Sequence, residues 1–275
     1  MGTASSRDPT RLKLDVKTGR RRQRWWSGAL LGLCIGTVLA ADPRLPDTVE
    51  RIKASVVGVG TLSETHRPPA ILRGTGFAVG DGSRVVTNCH VIDQKLDEAH
   101  KERHVVFLGR GREARVREVE VVARDDVHDL CALKMSGAPL PPVTIDESVP
   151  REGTAIAFTG FPLGATLGLY HVTHQGIVSA ITPIAIPAPS ARLLSSEKIQ
   201  ALRSPFDVLQ LDATAYPGNS GSPVFRQDNG QVVAVVSQVA VAAKKEDLLS
   251  HPSAITYAMP AGYIRALLQQ TAPRP

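Results

Sequence analysis

Beyond its first forty residues the sequence lacks net charge, a bilayer-length apolar run, an internal repeat and a low-complexity tract. The missing charge is informative because the whole chain is basic, with 32 Lys and Arg against 26 Asp and Glu. Residues 1–27 hold eight of those bases and two of the acids, leaving 24 of each in the remainder. A neutral body has no electrostatic footprint for nucleic acid, so no nucleic-acid partner is expected. Cysteine is also scarce: Cys34, Cys89 and Cys131 are all there is. An H-E-x-x-H metal motif is absent, and no metal or cofactor is expected.

The basic start leads into "SGALLGLCIGTVLAADP", with about fourteen apolar residues over 28–41. A membrane span needs roughly twenty. A charged start, a short apolar stretch and small residues at Val38 and Ala40 read as a secretory signal occupying residues 1–40. The expected body is then a single domain over residues 41–275, periplasmic or secreted. The charged start is long for a signal, so an uncleaved inner-membrane anchor facing the periplasm is the alternative. Membrane contact is expected only in that case.

The body reads as short β-rich runs broken by glycine and proline. "ASVVGVGT", "GTGFAVG", "RVVTNCHVI", "RHVVFLG", "EVEVVARD", "LCALKM", "GTAIAFTG", "HQGIVSAI", "DVLQLDAT", "QVVAVVSQVAVAA" and "ITYAMP" are separated by turn signals. Many even-sized strands without helical periods between them predict an all-β barrel or sandwich. Two helices are expected. One covers residues 93–104, charged and exposed; the other covers residues 261–270, with Ile264, Leu267 and Leu268 on one stripe. Residues 187–206 form a long Pro- and Ser-containing loop, and loops of that length are often functional.

Three polar residues stand out. Ser220 lies in "DATAYPGNSGSPVF", where glycine, asparagine and serine form a tight turn with or without chemistry. His90 follows an apolar strand in "VVTNCHVID", and Asp129 precedes another in "DDVHDLCALK". Alone, Ser220 reads as a turn residue, His90 as structural or merely exposed, and Asp129 as a turn former or strand terminator. "SSEK" at residues 195–198 matches a serine–lysine pattern but lacks its companion motifs. His100 and His104, four residues apart on the expected helix, could face a metal, but with no H-E-x-x-H motif beside them they read as a solvated charged surface.

Taken in order, "GTGFAVGDGSRVVTNCHVI", "DDVHDLCALK" and "DATAYPGNSGSPVF" resemble the HtrA/Deg branch of the chymotrypsin-clan serine proteases. "AIAFTGFPLG", "VTHQGIVSAI" and "ITYAMPAGYIRALLQ" extend the resemblance over nearly all of residues 48–270. It implies a chymotrypsin-like double six-stranded antiparallel β-barrel with a short C-terminal helix. It further implies a serine endopeptidase, with His90 as base, Asp129 as its orienting acid and Ser220 as nucleophile. The backbone amides of Gly218 and Ser220 would form the oxyanion hole. Protein or peptide substrates, extracytoplasmic protein quality control and a homo-oligomer follow from the family. The alternative is a protein-binding, chaperone-like module on a protease scaffold.

Departures from the family pattern refine these expectations. Ser222 replaces a glycine, and Asn219 stands where digestive relatives have an activation aspartate, so activation by a new N-terminus is not expected. Thr214 lies where trypsin carries its specificity aspartate; a small or aliphatic P1 residue is expected in place of Lys or Arg. Members of the branch append PDZ modules, and none is expected here. Residues 187–206 fall where the branch has a regulatory sensor loop. If His90 and Asp129 meet, Cys89 and Cys131 also approach. Both a disulfide in an oxidising compartment and two buried thiols suit that proximity. A zinc set of Cys89, His90, His128 and Cys131 is disfavoured, because neighbouring strand residues face opposite ways.

Overall fold

A computed structural model describes residues 44–164, 168–184, 205–237 and 255–270. Residues 1–40 and residues 187–204 of the loop predicted over 187–206 lie outside the described residues, as do residues 238–243 of one predicted strand. The elements in chain order are α1 (Leu45–Lys53), β1 (Val56–Leu62), β2 (Ala70–Val79), β3 (Arg84–Thr87), β4 (Arg103–Leu108), β5 (Arg115–Asp125) and β6 (Leu130–Met135). They continue with β7 (Ala155–Gly160), β8 (Val172–Pro183), β9 (Asp207–Asp212), β10 (Pro223–Arg226), β11 (Val232–Val236), β12 (Ile255–Pro260) and α2 (Gly262–Gln269).

Every named strand pairing is antiparallel. The order β1-β2-β3-β6-β5-β4 closes one six-stranded barrel, and β10-β11-β12-β9-β8-β7 closes a second. The double barrel and its short C-terminal helix are therefore as expected. Alternation along the strands divides the apolar residues. Val57, Val59, Val85, Val106 and Leu133 cluster within the first barrel, and Ile156, Phe158, Leu209, Leu211 and Val233 within the second. A third cluster draws on both barrels: Phe77, Val86, Phe161, Phe225 and Val235 pack with Ile52 of α1 and Ile264 and Leu267 of α2. Each such side chain, fully buried, contributes about 1.5–3 kcal/mol. The residues between the barrels are thus held from both sides.

Three local readings change. Residues 93–104 are not a helix: they form a single 3₁₀ turn at Glu98–His100, and His104 belongs to β4. The Asp97 carboxylate caps that turn by accepting from the His100 N–H, and Lys101 ends it in the left-handed region at φ 52°. With no apolar stripe to bury, nothing favours continuing the helix. Helix α1 has no counterpart in the strand reading, although Pro46 at its first turn and Leu45, Val49 and Ile52 at helical spacing mark it. Strand β10 was also not expected. It is four residues long and starts on Pro223, a place where a strand tolerates a missing N–H.

Candidate active site

The first barrel supplies a histidine and an aspartate from adjacent strand ends. After β3, Asn88 stays extended and the chain turns through a 3₁₀ turn, Cys89–Val91. The turn buries Cys89 and Val91 and leaves the His90 side chain 31% exposed. Asp129, just before β6, adopts φ 53°, a left-handed conformation that a short polar side chain tolerates. Its backbone carbonyl accepts from the Cys89 N–H (3.2 Å) and from Asn88 Nδ2 (2.9 Å).

The Asp129 carboxylate then holds His90 twice. Oδ1 accepts from the His90 backbone N–H at 3.0 Å, and Oδ2 lies 2.7 Å from ring Nδ1. A carboxylate accepts but does not donate, so Nδ1 carries a proton, and in the neutral ring Nε2 is the nitrogen that keeps its lone pair. The Ser237 hydroxyl donates to the same Oδ2 at 3.2 Å. Behind the pair, Cys89 and Cys131 are joined in a disulfide with their Cα atoms 5.0 Å apart. Those sulfurs are then no zinc ligands, and His128 turns instead to Asp125 (2.6 Å) and stacks on Tyr263.

The second barrel supplies the serine. Between β9 and β10, the Asn219 N–H donates to Tyr216 O and the Ser222 N–H to Asn219 O, both at 2.9 Å. Gly218 (φ 101°) and Gly221 (φ 85°) take conformations closed to other residues. A β-carbon at Gly218 would collide with the Phe161 carbonyl, and one at Gly221 with the Thr75 carbonyl. Ser220 itself is 4% exposed. The Pro217 carbonyl accepts from the Leu163 N–H at 2.7 Å. In a trans peptide the adjoining N–H points the opposite way, so Gly218 N–H faces away from Leu163. The Asn219 carbonyl, held by Ser222, orients the Ser220 N–H likewise. Among the described residues neither amide has a hydrogen-bond partner. Buried or half-buried amides without partners are uncommon, and two in one turn make a ready anion site.

Several contacts bind the serine turn to the histidine side. Val236 accepts from the Gly221 N–H and donates to the Ser222 carbonyl, both at 2.9 Å, while its neighbour Ser237 reaches Asp129. A β-carbon at Gly74 would touch Val91, next to His90, and the Ser220 carbonyl. Among the described residues no hydrogen bond joins Ser220 Oγ to His90. Such a contact commonly tightens only when substrate is present.

Sequence reasoning missed Thr75. Its N–H donates to Ser220 O (2.9 Å), its hydroxyl donates to Gly218 O (2.7 Å), and that hydroxyl accepts from the Phe161 N–H (3.0 Å). The signal was its place in "GTGF", read only as part of a motif. Ser237 left no signal beyond ending an apolar run. Thr214 is half-buried, with Ala215 beside it held by Thr256 Oγ1 at 2.9 Å. Residues 238–254 lie outside the described residues. His174, whose ring stacks on Phe158 and lies 5.9 Å from that of Tyr216, has a buried Nε2 without a partner; burial holds its pKa below the ordinary value.

Two closed antiparallel barrels, with an oriented histidine on one and a glycine-framed serine on the other, define the trypsin-like class of hydrolase folds. The chain belongs to the trypsin-like peptidase domain family, whose pattern matches residues 74–235. It is 31% identical over 166 residues to a probable periplasmic serine endoprotease, DegP-like, of Halomonas elongata, covering 60% of this chain and 29% of that protein. It is 26% identical over 232 residues to serine protease HTRA1B of Danio rerio, covering 82% and 41%. The chain thus spans well under half the length of these relatives. Among solved structures it resembles the serine endoprotease from Yersinia pestis, with TM-score 0.56 and 23% identity over 82% of this chain and 66% of that one. An HtrA-type protease solved with a tripeptide gives TM-score 0.59 and 21% identity, over 82% and 62%. The relatives it matches are HtrA-type proteases, in keeping with the resemblance of the three motifs.

Proposed function

We propose that the protein is a serine endopeptidase acting through His90, Asp129 and Ser220. The observation that carries this reading is the double hold of Asp129 on His90, which fixes the ring and makes Nε2 the basic nitrogen of the neutral tautomer. Nε2 takes the Ser220 hydroxyl proton as Oγ bonds to a peptide carbonyl carbon. The carbonyl oxygen becomes an oxyanion held by the Gly218 and Ser220 amides, each donor worth about 2.7–4 kcal/mol in the transition state. The imidazolium then protonates the leaving amine as the C–N bond breaks. Water, deprotonated by Nε2, hydrolyses the acyl-enzyme and returns Ser220.

The substrates are proteins or peptides, with a small or aliphatic P1 residue beside Thr214. Residues 1–40 serve as the export leader and residues 41–275 as the protease domain, working outside the cytoplasm in protein quality control. The working form is a homo-oligomer. The open Ser220–His90 contact favours a second reading, a binding module with little turnover. Fluorophosphonate labelling separates the two: the wild type forms a phosphonyl-serine adduct and Ser220→Ala does not. A wild type that never labels, with or without peptide, leaves the binding module standing.

A further inference from the structure

His90 and His128 are not the only histidines paired with carboxylates. Between β1 and β2 the chain makes a turn at residues 63–69, and between the His90 turn and β4 it passes through residues 93–102. The Ser63 hydroxyl donates to the His100 carbonyl at 2.8 Å, fastening the two segments together. Where they meet, His100 Nδ1 lies 2.8 Å and His66 Nε2 3.4 Å from the same oxygen, Asp97 Oδ2. The two imidazole rings sit 4.8 Å apart between centroids. All three potential ligand atoms fall within 4.8 Å of one another.

Backbone bonds hold Asp97 in place: its backbone N–H donates to Glu102 Oε2 at 2.9 Å, and its carboxylate Oδ1 accepts from the His100 backbone N–H at 3.2 Å. Oδ2 is left facing the two rings. Two imidazole nitrogens and one carboxylate oxygen form a borderline donor set, suited to zinc and its first-row neighbours and not to calcium or magnesium. In a tetrahedral zinc site with bonds of about 2.0–2.2 Å, neighbouring donors lie roughly 3.3 Å apart. The His66–Asp97 separation of 3.4 Å already meets that spacing. Rotation of the partly exposed rings opens the 2.8 Å His100–Asp97 pair and adjusts the distance between the two histidine nitrogens.

We propose that His66, Asp97 and His100 form a surface site for a divalent first-row transition ion, with Zn²⁺ as the matching probe. Three protein ligands leave the fourth position to water, and solvent exposure gives the ion a way in. A bound ion ties the β1–β2 turn to the segment that leads from His90 into β4. The expected helix over residues 93–104 would have put His100 beside His104; the tertiary structure pairs it instead with a residue from another loop. This site stands independently of the peptidase reading.

The test is calorimetric titration of Zn²⁺ into tag-free protein carrying Ser220→Ala, which prevents self-cleavage. Co²⁺ absorption and thermal melts accompany it. One equivalent of Zn²⁺ with a micromolar Kd is expected, with a rise in Tm of about 5–10 °C at a hundredfold excess over Kd. His100→Ala and Asp97→Asn should each weaken binding at least tenfold, and His66→Gln should do the same. His90→Ala should leave it unchanged, excluding the ion-binding capacity of the His90–Asp129 pair. Circular dichroism and the metal-free melt of each variant establish that it is folded. Absence of binding at 100 µM Zn²⁺, binding retained in a His66→Gln/His100→Ala double variant, or binding lost only in His90→Ala would each overturn the proposal.

Discussion

The Thr75 hydroxyl donates to the Gly218 carbonyl at 2.7 Å, joining a strand of the first barrel to the serine turn of the second. The same oxygen accepts from the Phe161 N–H, and the Thr75 N–H holds the Ser220 carbonyl. One buried residue thereby holds the carbonyls of Gly218, through its side chain, and of Ser220, through its backbone, on either side of Asn219. Gly218 and Ser220, whose N–H groups have no partner among the described residues, are thus each held by Thr75 through their carbonyls.

Thr75→Val keeps the shape and removes the hydroxyl. It leaves the Gly218 carbonyl and the Phe161 N–H without a partner, at about 1–3 kcal/mol each. The expected result is a fall in kcat of about 10²–10³-fold, comparable to losing one oxyanion donor, with KM little changed. Thr75→Ser should recover most of it. Steady-state cleavage of a peptide series provides the check; equal loss in both variants would show that the methyl, not the hydroxyl, matters.

The disulfide spans 42 residues of chain and closes directly behind His90 and Asp129. The chain-entropy treatment gives a loop of that size about 4 kcal/mol. Cys89→Ala/Cys131→Ala should therefore lower stability by about 2–4 kcal/mol, read from urea unfolding. Reducing agent should do the same to the wild type and nothing to the variant. Two alkylatable thiols in the unreduced protein would contradict the pairing.

Three half-buried histidines set a pH dependence. Burial lowers the pKa of His104, His171 and His174 from the ordinary 6.5. Below pH 6.5 the unfolded chain takes up protons that the folded chain still refuses, so stability falls as pH drops through that value. Urea midpoints should be lower at pH 5 than at pH 7, and His174→Gln should flatten the difference. An unchanged slope in that variant would rule out His174 as a contributor.

Thr214 supplies no negative charge for a basic P1 side chain. Thr214→Asp should raise the ratio of cleavage after Arg to cleavage after Val, measured as kcat/KM on paired peptides. No change in that ratio would place the P1 pocket elsewhere.

Much of this protein was legible in the sequence because the information is local. Eleven strands showed as short apolar runs between turn residues, and α2 showed as a stripe of Ile264, Leu267 and Leu268. His90, Asp129 and Ser220 were marked by the few residues around each. The failures were local too: residues 93–104 lacked an apolar stripe to support a helix, while α1 and β10 were short enough to pass as connections. What only the tertiary structure decided were pairings between residues far apart in the chain. Thr75 and Gly218 are 143 residues apart, Asp129 and Ser237 are 108, and His66 meets Asp97 from a different loop. The choice between disulfide and free thiols was of the same kind. A hydrogen bond, a sulfur bridge or a shared ligand point leaves no periodicity behind, so it emerges only when barrel closure brings the two strand ends together.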